Sequence, residues 1–248
     1  MTTFVSKETI SRLLGDIKQI IKNPLIENGI YYVHDDTDIL KGYALIIGPS
    51  DTPYFGGNYF FEFKFPYDYP HSPPKVTYCT NGNGVRFNPN LYKCGKVCVS
   101  LLNTWSGEQW TSCQTISTVL LTLCTLLCKN PLLNEPGVSK HHAEFNNYTK
   151  IIEFSNIDIA VCDIMNKKEG MLFPFFDLFY HIVEENFQKN YDDLIKFINI
   201  KIEENKDKQS NVVTGGFYNM NVNIDYVKLK EKIAAIREKN NKIGTKTK

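Results

Sequence analysis

A net charge of +1 over 248 residues, with 28 basic side chains against 27 acidic, gives neither nucleic acid nor an anionic membrane an electrostatic hold. A chain of this length buries roughly 70–75% of its unfolded surface, so one large domain, or a domain with an extension, needs no disulfide or metal staple.

Met1-Thr2-Thr3-Phe4 has neither the basic nor the apolar region of a secretory leader. The seven cysteines are therefore expected as free thiols in a reducing compartment, cytoplasm or nucleus. Thr9 to Lys22 sets Ile10, Leu13, Leu14, Ile17, Ile20 and Ile21 at helical spacing. Lys18 and Lys22 fall on the polar side with Arg12 near it, and Pro24 closes the helix. On composition these basic residues form a solvated face. Ile30 to Val33, Lys41 to Gly48, Asn58 to Phe65 and Lys75 to Tyr78 are rich in β-branched and aromatic residues and predict strands. Their direct succession predicts an antiparallel meander. Pro66, Pro70, Pro73 and Pro74 predict a stiff extended loop.

Val85 to Trp105 is the stretch around which the rest is organised. Asn88-Pro89-Asn90 predicts a turn, and Gly95 a second one ahead of Cys98. Cys98 lies between Val97 and Val99. That frame suits a small buried hydrophobe as well as a thiol held for chemistry on an irregular segment. Thr115 to Lys129 predicts a central core helix with Cys124 and Cys128 packed inside. Its apolar part, Val119 to Cys128, is broken by threonines and too short to span a bilayer. Asn130-Pro131 ends it, and a loop carrying Glu135 follows.

Beyond Ser139, Ile157 to Met165 is apolar and helix-compatible. Phe173 to Phe187 is dense in aromatics that need burial, so this run is expected to dock on the preceding domain. Asp192 to Ile202 is amphipathic, and Glu203 to Asn211 reads as a charged loop. Asp225 to Arg237 predicts a last amphipathic helix and Glu238 to Lys248 a solvated tail. The part beyond Asn211 is expected to be dispensable for folding.

Phe87-Asn88-Pro89-Asn90, Gly95-Lys96-Val97-Cys98, Leu101-Leu102 and Trp105 resemble the active-site signature of the ubiquitin-conjugating (E2) enzymes. Asn88 stands where the usual pattern has histidine, a departure found in the large Z-type subgroup. Gly48-Pro49, Thr52-Pro53-Tyr54, Gly56-Gly57, Asp68-Tyr69-Pro70 and Pro73-Pro74-Lys75-Val76 resemble the same core. Ala160-Val161-Cys162-Asp163-Ile164-Met165 resembles the Z-type C-terminal part. The resemblance implies an α+β, UBC-type fold: an N-terminal helix, a four-stranded antiparallel meander, an active-site loop, a central helix and a helical C-terminal extension. It implies a catalytic core over 1–155, an extension packed on it over 156–240 and a solvated tail over 241–248.

It further implies that Cys98 accepts ubiquitin, or a ubiquitin-like protein, as a thioester from an activating enzyme (E1). Cys98 then passes it to a substrate lysine or to the cysteine of an E3 ligase. Asn90 is implied as oxyanion donor or as holder of the loop, with Asn88 and Pro89 as further loop residues. Glu135 is implied as a gate beside the thioester; its other reading is a solvated loop carboxylate. Arg12, Lys18 and Lys22 become E1-docking residues. His71 stands where the family often has an apolar E3 contact, and Thr111-Ser112-Cys113 where it has Ser-Pro-Ala. His71, Ser112 and Cys113 are thus implied E3-facing positions with weak activation by generic RING-type E3s. No cofactor is implied, because ATP is used by the upstream E1.

Cysteine suits both transfers because its thiolate is a good nucleophile and a good leaving group. A cysteine protease would need a histidine base beside Cys98, and His34, His71, His141, His142 and His181 lie in no such pattern. Cys94 and Cys98 make one Cys-x3-Cys without a second pair, so no metal is expected. The alternative from another class is a non-catalytic ubiquitin-binding scaffold of the same fold, whose members lack the cysteine.

Overall fold

A computed structural model describes residues 5–167, 173–206 and 212–244. Helix α1 runs Lys7–Lys22, and the Ser6 hydroxyl caps it by accepting from the Thr9 N–H at 3.0 Å. Strands β1 (Ile30–His34), β2 (Lys41–Ile47), β3 (Asn58–Lys64) and β4 (Lys75–Tyr78) form one antiparallel sheet in sequential order. The meander is the one the strand spacing predicts.

Strand periodicity sends neighbouring residues of β3 to opposite faces. Tyr59 meets Tyr54 and Phe87 on one side. Phe60 meets Phe173, Phe175, Phe176 and Phe179 on the other. Tyr43 stacks on Phe175 with centroids 4.4 Å apart. The aromatic run after Phe173 therefore docks on the sheet, as its composition demands.

Helix α2 (Ile116–Leu126) opens on a reciprocal capping box between Thr115 and Thr118. It stops before the predicted Lys129. Leu127 leaves helical geometry at φ −80°, ψ 56°, ahead of Pro131, which disfavours helical backbone at Asn130. Cys124 and Cys128 are half-buried rather than enclosed.

Helix α3 (Phe145–Ser155) continues without a break into a π-helical stretch, Asn156–Asp163. The wide turns leave side-chain-bonding room: Asn58 Nδ2 donates to Ala160 O at 2.9 Å and the Tyr59 hydroxyl to Asn156 Oδ1 at 2.6 Å. Gly57 permits this approach, since a Cβ there would lie 2.0 Å from Asn156 Oδ1.

Helix α4 (Tyr180–Glu204) unites the second half of the aromatic run with the amphipathic 192–202 stretch. The predicted 203–211 loop starts inside this helix, and its residues 207–211 lie outside the described residues. The extension is not purely helical. Strands β5 (Val212–Gly215) and β6 (Met220–Asn223) form a hairpin that the sequence reading did not predict. Helix α5 (Tyr226–Gly244) runs through much of the predicted tail; residues 245–248 lie outside the described residues. Its Leu229, Ile233 and Ile236 are buried, and Lys232 Nζ reaches Asp158 Oδ1 at 2.5 Å and Asp163 Oδ1 at 2.7 Å. The β5–β6 hairpin and α5 thus contribute Met220, Tyr226, Leu229, Ile233 and Ile236 to the core, in a part of the chain expected to be dispensable for folding. Among the described residues no helix is long and apolar enough to cross a membrane.

Candidate active site

Cys98 is 3% exposed, and its thiol donates to Thr104 O at 2.8 Å. Two bonds tie its backbone to Asn90. The Cys98 N–H donates to Asn90 O at 2.9 Å, and Asn90 Nδ2 donates to Cys98 O at 2.6 Å. The Thr104 hydroxyl accepts from the Val99 N–H at 2.9 Å and shares its hydrogen between Val97 O and Val99 O, each at 3.0 Å. The segment carrying the thiol is therefore clasped on both sides of the cysteine.

Asn88 is fully buried. Its Oδ1 accepts from the Asn90 N–H at 2.9 Å, the Asx arrangement that Asn favours in turns. Its Nδ2 donates to Leu126 O at 2.7 Å and to the Tyr54 hydroxyl at 3.2 Å. Asn88 thus fastens the loop to the end of α2, with buried Pro89 between it and Asn90. Gly95 closes the loop at φ +88°, where a Cβ would stand 3.0 Å from Tyr78 O. Asn90 Oδ1 is buried without a hydrogen-bond partner among the described residues. The contact that Asn90 makes here is the loop-holding one.

Cys98 opens onto a pocket of about 100 Å³ whose walls include Arg86, Asn90, Tyr92, Glu135 and Tyr218. The Arg86 guanidinium lies between two rings, 3.7 Å from the centroid of Tyr92 and 4.2 Å from that of Tyr218. It also donates to Pro89 O. The Tyr218 hydroxyl donates to Glu135 Oε2 at 2.5 Å. Burial, and then the bond to the Glu135 carboxylate, push the Tyr218 phenol well above its ordinary range, so it remains a neutral donor. Glu135 is half-buried in this wall, not a fully solvated loop carboxylate.

Arg86, Tyr92 and Tyr218 escaped the sequence reading. Tyr218 rides the turn of the β5–β6 hairpin, and the one local signal was Gly215-Gly216 between short Val-containing runs. No histidine lines the pocket among the described residues, and no group of three His, Cys, Asp or Glu there is placed to hold a metal ion.

The other singled-out residues lie elsewhere. Lys18 and Lys22 are exposed on α1. Arg12 is not free beside them: it pairs with Asp16 at 3.0 Å and donates to Ser112 O at 2.6 Å and Gln114 O at 2.5 Å. His71 is exposed, 3.7 Å from Glu8, and Ser112 and Cys113 are exposed. Arg12 thus links the expected E1-facing helix to the expected E3-facing segment.

An antiparallel meander, a central helix and a cysteine clasped after an Asn-Pro-Asn turn define a ubiquitin-conjugating fold. Residues 12–155 match the family described as ubiquitin-conjugating enzyme, and the chain belongs to that family. Ubiquitin-conjugating enzyme E2 Z of Homo sapiens is 37% identical over 235 residues, which are 94% of this chain and 64% of the relative. Ubiquitin-conjugating enzyme E2 Z of Danio rerio is 42% identical over 190 residues, 75% of this chain and 56% of the relative. Probable ubiquitin-conjugating enzyme protein 17 of Caenorhabditis elegans is 40% identical over 153 residues, 56% of this chain and 21% of the relative. Over most of its length the chain is similar to E2 enzymes of the Z type, and it spans less than two thirds of the length of these relatives.

Proposed function

We propose that Cys98 accepts the C-terminal acyl group of ubiquitin, or of a ubiquitin-like protein, from an E1 thioester and passes it to a lysine amine or an E3 cysteine. The observation that carries this reading is the clasp itself: Cys98, in the pocket wall, is held at its backbone by Asn90 and at its flanks by Thr104. Preorganised position is what acyl transfer needs, because near-attack geometry replaces an entropic cost at each step. Asn90 supports the transfer either by holding this loop or, after its amide turns, by donating to the oxyanion; loss of an oxyanion donor costs about 10²–10³ in rate. Lys18 and Lys22 are the proposed E1 contacts, with Arg12 bracing their helix. His71, Ser112 and Cys113 are proposed E3-facing positions.

The test incubates the protein with ATP, each E1 in turn, and ubiquitin or a ubiquitin-like protein. A thiol-sensitive adduct is expected on the wild type, none on Cys98→Ala, and a thiol-resistant oxyester on Cys98→Ser. A thiol-sensitive adduct that survives Cys98→Ala overturns the assignment.

A further inference from the structure

We propose that Tyr218 is a positioning residue that fixes the Glu135 carboxylate in the pocket wall and so makes the pocket favour an amine over a thiol as acyl acceptor. This rests on the thioester reading of Cys98 given above.

Tyr218 belongs to the extension, yet it reaches the same pocket as Cys98 and Glu135. It is held there from several sides. Lys93 Nζ donates to Tyr218 O at 2.8 Å. The neighbouring Gly216 N–H donates to Glu144 Oε2 at 2.9 Å, and Phe217 packs on His142 with centroids 4.8 Å apart. A side chain so fixed transmits its position to its partner. Its hydroxyl engages Glu135 Oε2 and leaves Oε1 without a protein partner among the described residues. Arg86, the cation in the pocket wall, is stacked between rings and bonded to Pro89 O, and among the described residues no ion pair joins it to Glu135.

A carboxylate fixed in this way treats the two acceptors differently. An amine, or the ammonium from which it forms, can donate N–H to the free oxygen in a charge-assisted bond and be held facing the thioester. A thiol attacks as the thiolate, which the same charge repels. In the amine reaction nitrogen bonds to the carbonyl carbon and the carbon–sulfur bond breaks. The electron pair leaves on Cys98 sulfur, and the displaced N–H proton passes to that thiolate or to water.

The experiment uses the full chain charged on Cys98 with ubiquitin and freed of E1. Discharge is followed against free lysine and against 2-mercaptoethanol, and the ratio of the two rate constants is the readout. For Tyr218→Phe the lysine-to-thiol ratio is expected to fall about tenfold, the size of a lost hydrogen bond to a charged group. Glu135→Gln, on a loop and conservative in shape, should lower the ratio by a similar factor, and the double variant should add little. A merely structural Tyr218 would slow both acceptors alike. An unchanged ratio in Tyr218→Phe, or an equal loss for both acceptors, overturns the proposal. If wild type forms no thioester on Cys98, the reading beneath it fails, and the proposal with it.

Discussion

Asn186 on α4 donates its side-chain amide to Asn58 Oδ1 on β3 at 3.1 Å, inside the protein. The same amide donates to Gly56 O at 2.9 Å, while Asn58 Nδ2 donates to Ala160 O at 2.9 Å. One buried amide pair thus joins the sheet to the π-helical stretch and to α4, tying the extension to the core by polar contacts.

The first prediction follows from that pair. Asn186→Leu keeps the branched shape, adds some volume and strips Gly56 O and Asn58 Oδ1 of their donor. Leaving buried polar groups unsatisfied costs about 1–3 kcal/mol each. Urea unfolding should show a lower midpoint with little change in slope. An unaltered midpoint would show that water, not Asn186, satisfies Asn58.

The second concerns the clasp. Thr104→Val is nearly isosteric but removes the hydroxyl that the Val99 N–H needs. The expected loss of stability is about 1 kcal/mol. Adduct formation at Cys98 should also slow, because the segment next to the thiol loosens. Thr104→Ser should restore both. Single-turnover charging, read beside thermal melting, checks this; a normal rate in the valine variant removes Thr104 from the site.

Much of this was legible in the sequence, and the reasons are local. The four strands had alternating or continuous apolar patterns bounded by Gly and Pro, and α1 had unbroken helical spacing. Cys98, Asn90 and Asn88 lay within one short motif. Other features depended on distant partners. Asn156 sits mid-helix, where Asn is ordinarily weak, because Tyr59 and Phe55 use its amide. The β5–β6 strands are four residues each and carry little periodic signal. Tyr218 reaches Glu135 and Arg86 only through tertiary packing, which no spacing records. Arg12 looked like part of a basic face with Lys18 and Lys22, but backbone carbonyls from another segment claim it.

The third prediction concerns pH. His34 Nε2 lies 2.9 Å from Ile39 O, an acceptor, so that nitrogen carries the proton. Its Nδ1 then accepts from the Tyr32 hydroxyl at 2.8 Å. Burial holds the His34 pKa below its ordinary 6.5, against smaller opposing effects from Ile39 O and nearby aspartates. A folded pKa below the unfolded one stabilises fully above about pH 6.5 and loses that contribution as pH falls through the folded value. Wild-type stability should therefore decline below pH 6.5 more steeply than that of His34→Gln. Urea midpoints from pH 7.5 to about pH 4.5 test it; parallel curves would assign the acid sensitivity to other groups.

The last prediction concerns α5. Tyr226, Leu229, Ile233 and Ile236 are buried, and each such side chain is worth about 1.5–3 kcal/mol on burial. Their sum is comparable to the roughly 5–15 kcal/mol that keeps a domain folded. Deleting residues 212–248 should therefore abolish a cooperative melt, and it also removes Tyr218 from the Cys98 pocket. Lys232→Met separates packing from charge, because it keeps the apolar stem and removes the cation facing Asp158 and Asp163. Burial pulls the Lys232 pKa down, but the two carboxylates outweigh it and the net shift is upward. A lysine raised above its ordinary 10.5 contributes fully below that pH and loses the contribution as pH rises through the folded value. The stability gap between wild type and Lys232→Met should thus be roughly 1–2 kcal/mol near neutrality, between the values of exposed and buried pairs. It should narrow only above about pH 10.5. Equal stability at pH 7 would mean that apolar packing alone holds α5, whereas a cooperative melt in the 212–248 deletion would show that neither contribution is needed.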